Sequence, residues 1–484
     1  MRKLLFFAFT IFYGLNLSAQ PGWESFWSGY TEDSRGISRF GILNDPNQDV
    51  AWSVAYDGSG NGADISAVGV TTDGGVTWTT YDPVSLQGAA NLGISMVFPV
   101  DVNTAYIAAY KRSGSFGNGG IWKTSDQGAT WVRMNTGNMY SDNASFCNII
   151  YFVDQNNGFS QGDPINGEFE MYYTTDGGGS WTQIPGSDID DPLTGEYGYT
   201  GGIVGAGSTI WFTTNKGRLY RSLDQGHTWT AYDTPLDDFG GAGDNGNVTF
   251  KDDNEGWILR GNGELYHSTD GGETWTQMTP TGLNNFGGDI AYIPGTANTL
   301  VASEADSTLP DFGTAISTDG GVTWTRITKY KLSTMTDFDD LTNILQDNQG
   351  NPIDDMQHTC VAFRDVNFGL SGQFSRQGDP NDPNDIGDFG VFKYYDNVAG
   401  VTDNVISDLM VYPNPASSIV NIATENNNIN NISVFDITGK EVVSVKEVGL
   451  NNTSIDVSNL DKGIYLLKVT TENNAQKTLK LLVK

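Results

Sequence analysis

Thr71-Thr72-Asp73-Gly74-Gly75-Val76-Thr77-Trp78 is the first of six similar eight-residue segments in this chain. The shared pattern is Ser/Thr-x-Asp-x-Gly-x-Ser/Thr-Trp, and the copies begin at Thr71, Thr124, Thr174, Ser222, Ser268 and Ser317. Consecutive Asp residues are 53, 50, 48, 46 and 49 positions apart. A period of this size indicates an array of similar supersecondary units.

The chemistry of the segment predicts the tip of a β-hairpin. An Asp carboxylate accepts hydrogen bonds from backbone N–H groups two or three residues on, which closes a turn. Glycine at the fifth position permits a positive φ, and the indole of the last residue packs back over the hairpin. We therefore assign a structural role, and no catalytic role, to the six carboxylates of Asp73, Asp126, Asp176, Asp224, Asp270 and Asp319.

The sequence around each segment predicts four antiparallel strands per repeat. An apolar strand, a short Asp/Asn/Gly turn and an aromatic strand come first, and a third strand then runs into the segment and a fourth leaves at the Trp. Such units are typical of β-propeller blades. A seventh unit, 359–396, lacks the segment and a fourth strand, which 22–30 can supply from the N-terminus. We predict an all-β protein with a seven-bladed β-propeller closed by its N-terminal strand.

Composition and charge agree with this fold class and divide the chain. The 484 residues include 60 glycines and 12% aromatics, and the formal net charge is −32. Such acidity disfavours nucleic acid and anionic membrane surfaces as partners. Residues 409–484 hold seven Lys and seven acidic residues, so all the net charge lies in 1–408. We predict a propeller over 20–398, a linker over 399–408 and a small Ig-like β-sandwich over 409–484.

The N-terminus predicts export. Arg2 and Lys3 precede an apolar stretch that ends at Leu17-Ser18-Ala19, as in a secretory signal peptide over 1–19. No later run of 18 apolar residues predicts a transmembrane segment, and a monomer is expected. Cys147 and Cys360 fall in apolar runs of different blades, so we expect two core thiols rather than a disulfide.

The six segments resemble Asp-box (BNR) repeats. That family includes sialidases, xyloglucanase-type glycosidases, sortilin-type receptors and photosystem II assembly factors. The resemblance covers about 22–398 and implies a propeller whose boxes lie at the blade periphery, away from any active centre. Because these families share the turn and not the chemistry, the resemblance assigns no function.

Three motifs near the C-terminus resemble a type IX secretion C-terminal sorting domain (type A). They are Tyr412-Pro413-Asn414-Pro415, the turn Asp436–Lys440, and Gly463-Ile464-Tyr465 followed by Lys468-Val469. The resemblance implies a Gram-negative protein that uses the type IX secretion machinery to cross the outer membrane. It also implies that the domain is removed there, and that the cargo is released or attached to the cell surface.

The sequence lacks a clear match to the catalytic residues of the enzymes in the Asp-box family. A sialidase needs an arginine triad, and its Arg-Ile-Pro motif is absent, the nearest match being Ser38-Arg39-Phe40-Gly41. A xyloglucanase-type enzyme needs two carboxylates across a cleft, and the abundant acids do not single out a pair. Catalytic residues therefore stay unknown. The sequence favours a binding or interaction protein, with an extracellular glycan hydrolase as the alternative.

Calcium is the one cofactor that the sequence suggests, at two acidic loops. The first loop places Asp57, Asn61 and Asp64 around glycines, as at the start of an EF-hand loop, but it lacks the closing Glu. The second places Asp379, Asp382 and Asp385 three residues apart. The alternative is that both loops are simply solvated.

The long loops predict where a ligand binds. Two-to-three loops and blade-to-blade loops share one face of a propeller, here called the loop face, and the boxes lie on the other, the box face. On the loop face, short turns in blades 4 and 5 bring three cations to the rim: Lys216, Arg218 and Arg260. Aromatic residues on neighbouring loops can stack on sugar rings or peptide side chains: Phe116, Tyr197, Tyr199 and Phe239. The alternative is that the cations pair with nearby acids.

Overall fold

The structure, a computed structural model, describes residues 21–32, 35–59, 65–82, 84–86, 92–112, 119–241, 245–283, 286–306, 312–327, 330–332, 356–377, 387–396, 409–424, 428–436, 440–446, 449–471 and 476–484. The chain divides into two compact units, one within 20–397 and one within 398–484. Each unit is described by itself below.

The first unit consists of antiparallel four-stranded blades. After β1 (Gly22–Trp27), blade 1 contains β2 (Arg35–Ile42), β3 (Ala51–Asp57), β4 (Val68–Thr71) and β5 (Thr79–Tyr81). Blade 2 contains β6 (Leu92–Pro99), β7 (Ala105–Lys111), β8 (Gly120–Thr124) and β9 (Val132–Arg133). Blade 3 contains β10 (Cys147–Phe152), β11 (Gly158–Ile165), β12 (Glu168–Thr174) and β13 (Thr182–Gln183), followed by a 3-10 helix at Gly186–Asp188.

Three further blades repeat this arrangement. Blade 4 contains β14 (Gly198–Ala206), β15 (Thr209–Thr214), β16 (Arg218–Ser222) and β17 (Thr230–Asp233). Blade 5 contains β18 (Gly246–Phe250), β19 (Gly256–Arg260), β20 (Leu265–Ser268) and β21 (Thr276–Gln277). Blade 6 contains β22 (Ile290–Tyr292), β23 (Leu300–Glu304), β24 (Gly313–Ser317) and β25 (Thr325–Arg326).

Blade 7 closes the ring with strands from both ends of the unit. A short strand, β26 (Tyr330–Leu332), precedes β27 (Cys360–Asp365), β28 (Phe368–Gln377) and β29 (Gly387–Tyr395). The N-terminal β1 is antiparallel to β29, with Trp23 opposite Tyr394, and β26 is parallel to β1 on its other side. The first strands of the seven blades contact one another in a complete circle. The seven-bladed propeller and its N-terminal closing strand are therefore confirmed.

The boxes form hairpin tips through one repeated set of hydrogen bonds. In the first box, Asp73 accepts from the Thr71 hydroxyl at 2.8 Å, the Thr77 backbone N–H at 2.9 Å and the Thr77 hydroxyl at 2.6 Å. The shorter backbone bond comes from four residues on, because the turn holds two left-handed residues in succession. These are Gly74 (φ 73°) and Gly75 (φ 88°), and the other five boxes repeat the pattern. In the fourth box the N–H of His227, three residues on as predicted, also donates to Asp224 at 3.2 Å.

Aromatic side chains fill the spaces between neighbouring blades. Tyr106 of blade 2 stacks on Phe152 of blade 3, with ring centroids 4.2 Å apart. Trp211 of blade 4 stacks on Phe250 of blade 5 at 3.7 Å. Such rings bury large apolar areas and prefer defined packing angles. The hydrophobic core of the propeller is therefore a ring of inter-blade layers around a central cavity.

The second unit is a β-sandwich. One sheet contains β30 (Met410–Tyr412), β31 (Ile419–Ala423) and β34 (Asn452–Asp456), and the other contains β32 (Ile429–Phe435), β33 (Glu441–Val445), β35 (Gly463–Thr471) and β36 (Gln476–Val483). Alternate residues of facing strands form one buried cluster that includes Val420, Val434 and Leu467. The Ig-like sandwich fold is confirmed.

The described residues contain no helix with the length and apolar character needed to cross a bilayer. Cys147 and Cys360 are buried and unbridged, as expected. Burial raises the pKa of both thiols, that of Cys360 to about 12, so neither is a reactive thiolate at neutral pH.

Candidate functional site

A cavity of about 610 Å³ occupies the centre of the propeller. Most of its described walls come from the first strands of blades 1, 4, 5, 6 and 7 and the segments that lead into them. Because first strands surround the axis of a propeller, residues far apart in the chain meet here. Concave ring centres with convergent polar groups are typical small-molecule sites.

Arg39, on β2 of blade 1, reaches across the cavity to blade 4. Its guanidinium donates to the carbonyl of Thr200 at 2.6 Å and to the carbonyl of Gly201. These carbonyls are available because the pairing of β14 with β15 skips from Gly198 to Ile203. The side chain therefore fixes an irregular part of the blade 4 inner strand, and it lies in the cavity wall.

Asp289, just before β22 of blade 6, lines the same cavity. Its carboxylate accepts from the backbone N–H of Ile290 at 2.9 Å and from that of Val361 in blade 7 at 3.0 Å. Burial raises its pKa, and the smaller opposing effects are these two hydrogen bonds and the charge of Arg39. Burial likewise lowers the pKa of Arg39.

The structure brings some of the predicted aromatic residues together. Tyr197 is 42% exposed on the loop face of blade 4 and packs edge-on against Tyr199, with ring centroids 5.7 Å apart. Tyr199 also lines the central cavity and donates its hydroxyl to Asp238. Phe239 borders the cavity but is only 6% exposed, packed with Leu236 and Ile258. Phe116 lies outside the described residues.

The three predicted cations have different surroundings. Lys216 is exposed beside Asn215, whose side chain accepts from the Tyr197 backbone N–H at 2.7 Å. Arg218 forms an ion pair with the fully buried side chain of Glu196. Arg260 forms an ion pair with Glu264 at 2.8 Å. Lys216 and Tyr197 therefore share one exposed rim, whereas the two arginines are held by carboxylates.

Five of the six candidate calcium ligands, Asn61, Asp64, Asp379, Asp382 and Asp385, lie outside the described residues. Asp57 is described, and its carboxylate accepts from the Ser59 backbone N–H at 3.0 Å and the Ser59 hydroxyl at 2.6 Å. Within the described ranges, no three acidic, His or Cys side chains are grouped as metal ligands. Calcium binding stays a prediction.

A further carboxylate with an altered pKa lies at the loop-face end of blade 3. Asp163 is partly exposed and accepts from the side-chain amide of Asn148 at 2.7 Å. Burial raises its pKa to about 6, against the opposing hydrogen bonds from Asn148 and the Gly198 backbone. A carboxyl that titrates near neutrality can donate or accept a proton there.

The sequence analysis missed the two charges of the cavity. In the sequence, Arg39 stands out only within the nearest match to a sialidase motif, and Asp289 does not stand out at all. A signal that could have found them is a charged residue in or next to the inner strand of a blade.

Comparison with known proteins gives the class. Residues 410–484 match the family model "Secretion system C-terminal sorting domain", and residues 266–277 match "BNR/Asp-box repeat". The chain is an Asp-box β-propeller protein with a type IX secretion sorting domain. Through that domain it uses the type IX secretion machinery, and it is exported to the cell surface or beyond.

Similar proteins differ widely in what their names describe. A curated relative from Neosartorya fischeri, a "Probable oligoxyloglucan-reducing end-specific xyloglucanase", is 31% identical over 155 residues, which is 31% of this chain and 17% of the relative's length. "YCF48 bound to D1 peptide" has a TM-score of 0.46 and 16% identity, over 77% of this chain and 96% of that one. The GH74 xyloglucanase from Xanthomonas campestris has a TM-score of 0.43 and 13% identity, over 96% of this chain and 74% of that one.

Proposed function

We propose that this protein is an exported binding protein that holds its ligand on the loop face, over the rim of blade 4 and in the central cavity. The observation that carries this proposal is the cavity itself. It has about 610 Å³, the volume of a small-molecule site, and Asp289 is the one carboxylate among its described lining residues. Hydrolysis of a glycosidic bond by the usual route needs two carboxylates across the substrate.

The rim of blade 4 extends this site outward. Tyr197 offers an exposed ring next to Tyr199, and Lys216 adds a positive charge beside them. Aromatic faces stack on sugar rings or apolar side chains, and a cation within an acidic surface orients an anionic group. A glycan or an extended protein segment fits this combination.

The test is a glycan-array and peptide-array screen with the exported protein, followed by titration of the best ligand. Tyr197→Ala/Lys216→Ala should weaken binding at least tenfold. The matched control is Leu223→Ala, because Leu223 is 62% exposed in the Asp-box of the same blade, on the opposite face. Loss of binding in the control with full binding by the double variant would place the ligand on the box face and refute the proposal.

The alternative is a xyloglucanase-like or sialidase-like hydrolase, and Asp163 is the observation that favours it. Its raised pKa suits a general acid near neutral pH. Under this alternative the protein releases products from xyloglucan oligosaccharides or sialyllactose, and Asp163→Asn lowers the rate at least 100-fold. Asp154→Asn, in the box-face turn of the same blade, is the control. Absence of product from both substrates would refute the alternative and leave the binding proposal in place.

A further inference from the structure

Among the described residues that line the central cavity, two carry a charge, and the two charges are of opposite sign. Arg39 enters from blade 1 and Asp289 from blade 6, and every other described lining residue is neutral. The surrounding chain is strongly acidic, with 58 acidic and 26 basic residues. A balanced pair at the ring centre therefore differs from the general surface of this protein.

Both charged groups are held in place and keep unused hydrogen-bonding capacity. Two of the five N–H donors of Arg39 bond to the carbonyls of Thr200 and Gly201. Each carboxylate oxygen of Asp289 accepts one backbone N–H, from Ile290 and Val361, and an ionised carboxylate offers about four acceptor positions. Blade 4 thus fixes the orientation of Arg39, and blades 6 and 7 fix that of Asp289, before a ligand arrives. This lowers the entropy cost of binding.

The two charges do not neutralise each other. Arg39 and Asp289 form no ion pair with one another, although both are described and line one cavity. Burial lowers the pKa of Arg39 and raises that of Asp289, and in each case burial exceeds the attraction between the two groups. Both side chains are partly exposed to the cavity, so a ligand that supplies both counter-charges can reach them without first breaking an ion pair.

We propose that the central cavity binds a small zwitterion of the amino-acid or short-peptide class, with its carboxylate on Arg39 and its ammonium group on Asp289. The proposal rests on the proposed binding function and names the chemistry of its ligand. A guanidinium fork matches a carboxylate, and a carboxylate accepts from an ammonium group. A volume of about 610 Å³ accepts a short peptide and excludes a folded partner.

Other ligand classes satisfy only part of this site. A simple anion bound to Arg39 would be repelled by the carboxylate of Asp289. A metal cation bound to Asp289 would be repelled by the guanidinium of Arg39. A neutral sugar would cover both charges without supplying counter-charges, which is unfavourable. Only a ligand that carries charges of both signs complements both Arg39 and Asp289.

The test uses the exported protein and a mixed library of di- and tripeptides with free ends. Equilibrium dialysis with mass spectrometry identifies retained peptides, and calorimetric titration measures their Kd. N-acetylation or C-amidation of the best peptide should each weaken binding at least 30-fold. In the Asp289→Asn variant, N-acetylation of the peptide should no longer weaken binding. In the Arg39→Gln variant, C-amidation should no longer weaken it. Each combination of a protein variant and a peptide modification forms a double-mutant cycle that isolates one charge pair.

Two controls separate ligand contacts from folding. Arg221→Gln is the matched variant, since Arg221 also bonds to backbone carbonyls of the next blade, those of Asp270 and Gly271, away from the cavity. It should bind peptide as the parent does. Ala362→Phe places a large side chain in the cavity while retaining both charges, and it should abolish binding. This variant tests the cavity as the binding site if Arg39→Gln fails to fold.

Two outcomes overturn the inference: retention of no free-ended peptide, or equal Kd values for free and blocked peptides. If the arrays yield a glycan or protein ligand while the peptide library yields none, the proposed binding function is supported and the proposed zwitterionic ligand is refuted. If neither screen yields a ligand, both proposals are refuted.

Discussion

The glycine at the fifth position is required for two reasons in five of the six Asp-boxes, all but that of Gly178. It adopts a positive φ, 92° at Gly226 and 88° at Gly272. A Cβ at Gly226 would also lie 2.6 Å from the ring of Phe159 in β11, and one at Gly272 would lie 2.9 Å from Leu219 of blade 4. The sequence motif predicts the first requirement. The second, close packing against a side chain outside the turn, depends on tertiary structure and is not visible in the motif.

The box carboxylate should contribute stability and leave ligand binding unchanged. Desolvation alone would raise the pKa of Asp270, but hydrogen bonds from Thr274 and Ser268 outweigh it and the pKa is lowered. We expect Asp270→Ala to lower the unfolding free energy by about 1–3 kcal/mol, because these bonds are lost. Urea denaturation measures it, with Thr269→Ala, the exposed neighbour in the same turn, as control. Lost binding at unchanged stability would contradict the structural role.

Asp163 should make the unfolding free energy fall as the pH rises towards neutrality. Its folded pKa of about 6 lies above the ordinary value of about 3.9. The extra stability from its proton is fully present below about pH 4 and is lost as the pH rises through about 6. Asp163→Asn should therefore raise the unfolding free energy by about 1–2 kcal/mol at about pH 7.5 and give no gain at about pH 4.

The control for this pH profile is Asp154→Asn. Hydrogen bonds from Asn157 and Asn156 lower the pKa of Asp154, so its contribution is present at neutral pH and disappears in acid. The control should lose stability at neutral pH. A neutral-pH gain in the control, or none in Asp163→Asn, would contradict these assignments.

The candidate site could be predicted from the sequence only where neighbouring residues form it. Lys216 and Tyr197 lie on one rim because a short turn and an adjacent loop bring them there. Arg218 binds Glu196, 22 residues away, and no local pattern indicates that pair. Arg39 and Asp289 meet only because the ring closes, so their proximity is a property of the complete propeller.

Strand order was the most predictable feature at the scale of elements, because each box marks a hairpin tip. The N-terminal fourth strand of blade 7 was also predictable, since that unit lacked one in sequence. Two features were not. The strand β26 pairs with β1 in parallel, and the inner strand of blade 4 interrupts its pairing between Gly198 and Ile203. Both depend on contacts with elements distant in sequence.

The closing strand should be essential to the stability of the ring. Trp23 is fully buried, packs against Tyr394 at 5.4 Å and donates its indole N–H to Thr314 of blade 6 at 2.8 Å. We expect Trp23→Ala to lower the unfolding free energy by about 3–5 kcal/mol, because a large core cavity is created. Trp27→Ala, on the same strand but 38% exposed, should cost less than about 1 kcal/mol. Equal urea midpoints for the two variants would contradict the closure.

At the scale of the whole molecule, the two units differ in charge as well as in fold. The acidic residues concentrate in the propeller, and the sorting domain is electrically neutral. The boundary was predictable because composition and motifs change together near residue 400. The ligand was not, because propellers of one fold carry unrelated sites.

Export should depend on the last strand of the sorting domain. Deleting ten residues from Ala475 removes β36, which pairs with β35 and contributes Leu481 to the buried cluster. We expect this truncation to accumulate in the periplasm, and Leu481→Asp to do the same. Lys480→Asp, at the exposed neighbour, should be exported. Fractionation and immunoblotting measure this, and normal surface delivery of the truncated chain would contradict it.

Processing should remove both ends of the chain. We expect the mature extracellular protein to lack 1–19 and about 409–484. Intact-mass measurement of protein from the medium and from the cell surface tests this. A mature chain that still carries the last 75 or so residues would contradict it.

The seam in blade 7 also determines how the propeller would carry a mechanical load. Gly22 lies opposite Tyr395, so both ends of the propeller chain leave from the same blade. Removal of residues before Gly22 or after Tyr395 therefore does not interrupt the ring of blades. If the mature protein is tethered through its C-terminal end, drag from flowing liquid pulls on β29. That strand is hydrogen-bonded on both sides, to β28 and to β1. The anchoring force is therefore shared between two neighbours, and an attached propeller would resist being peeled open strand by strand.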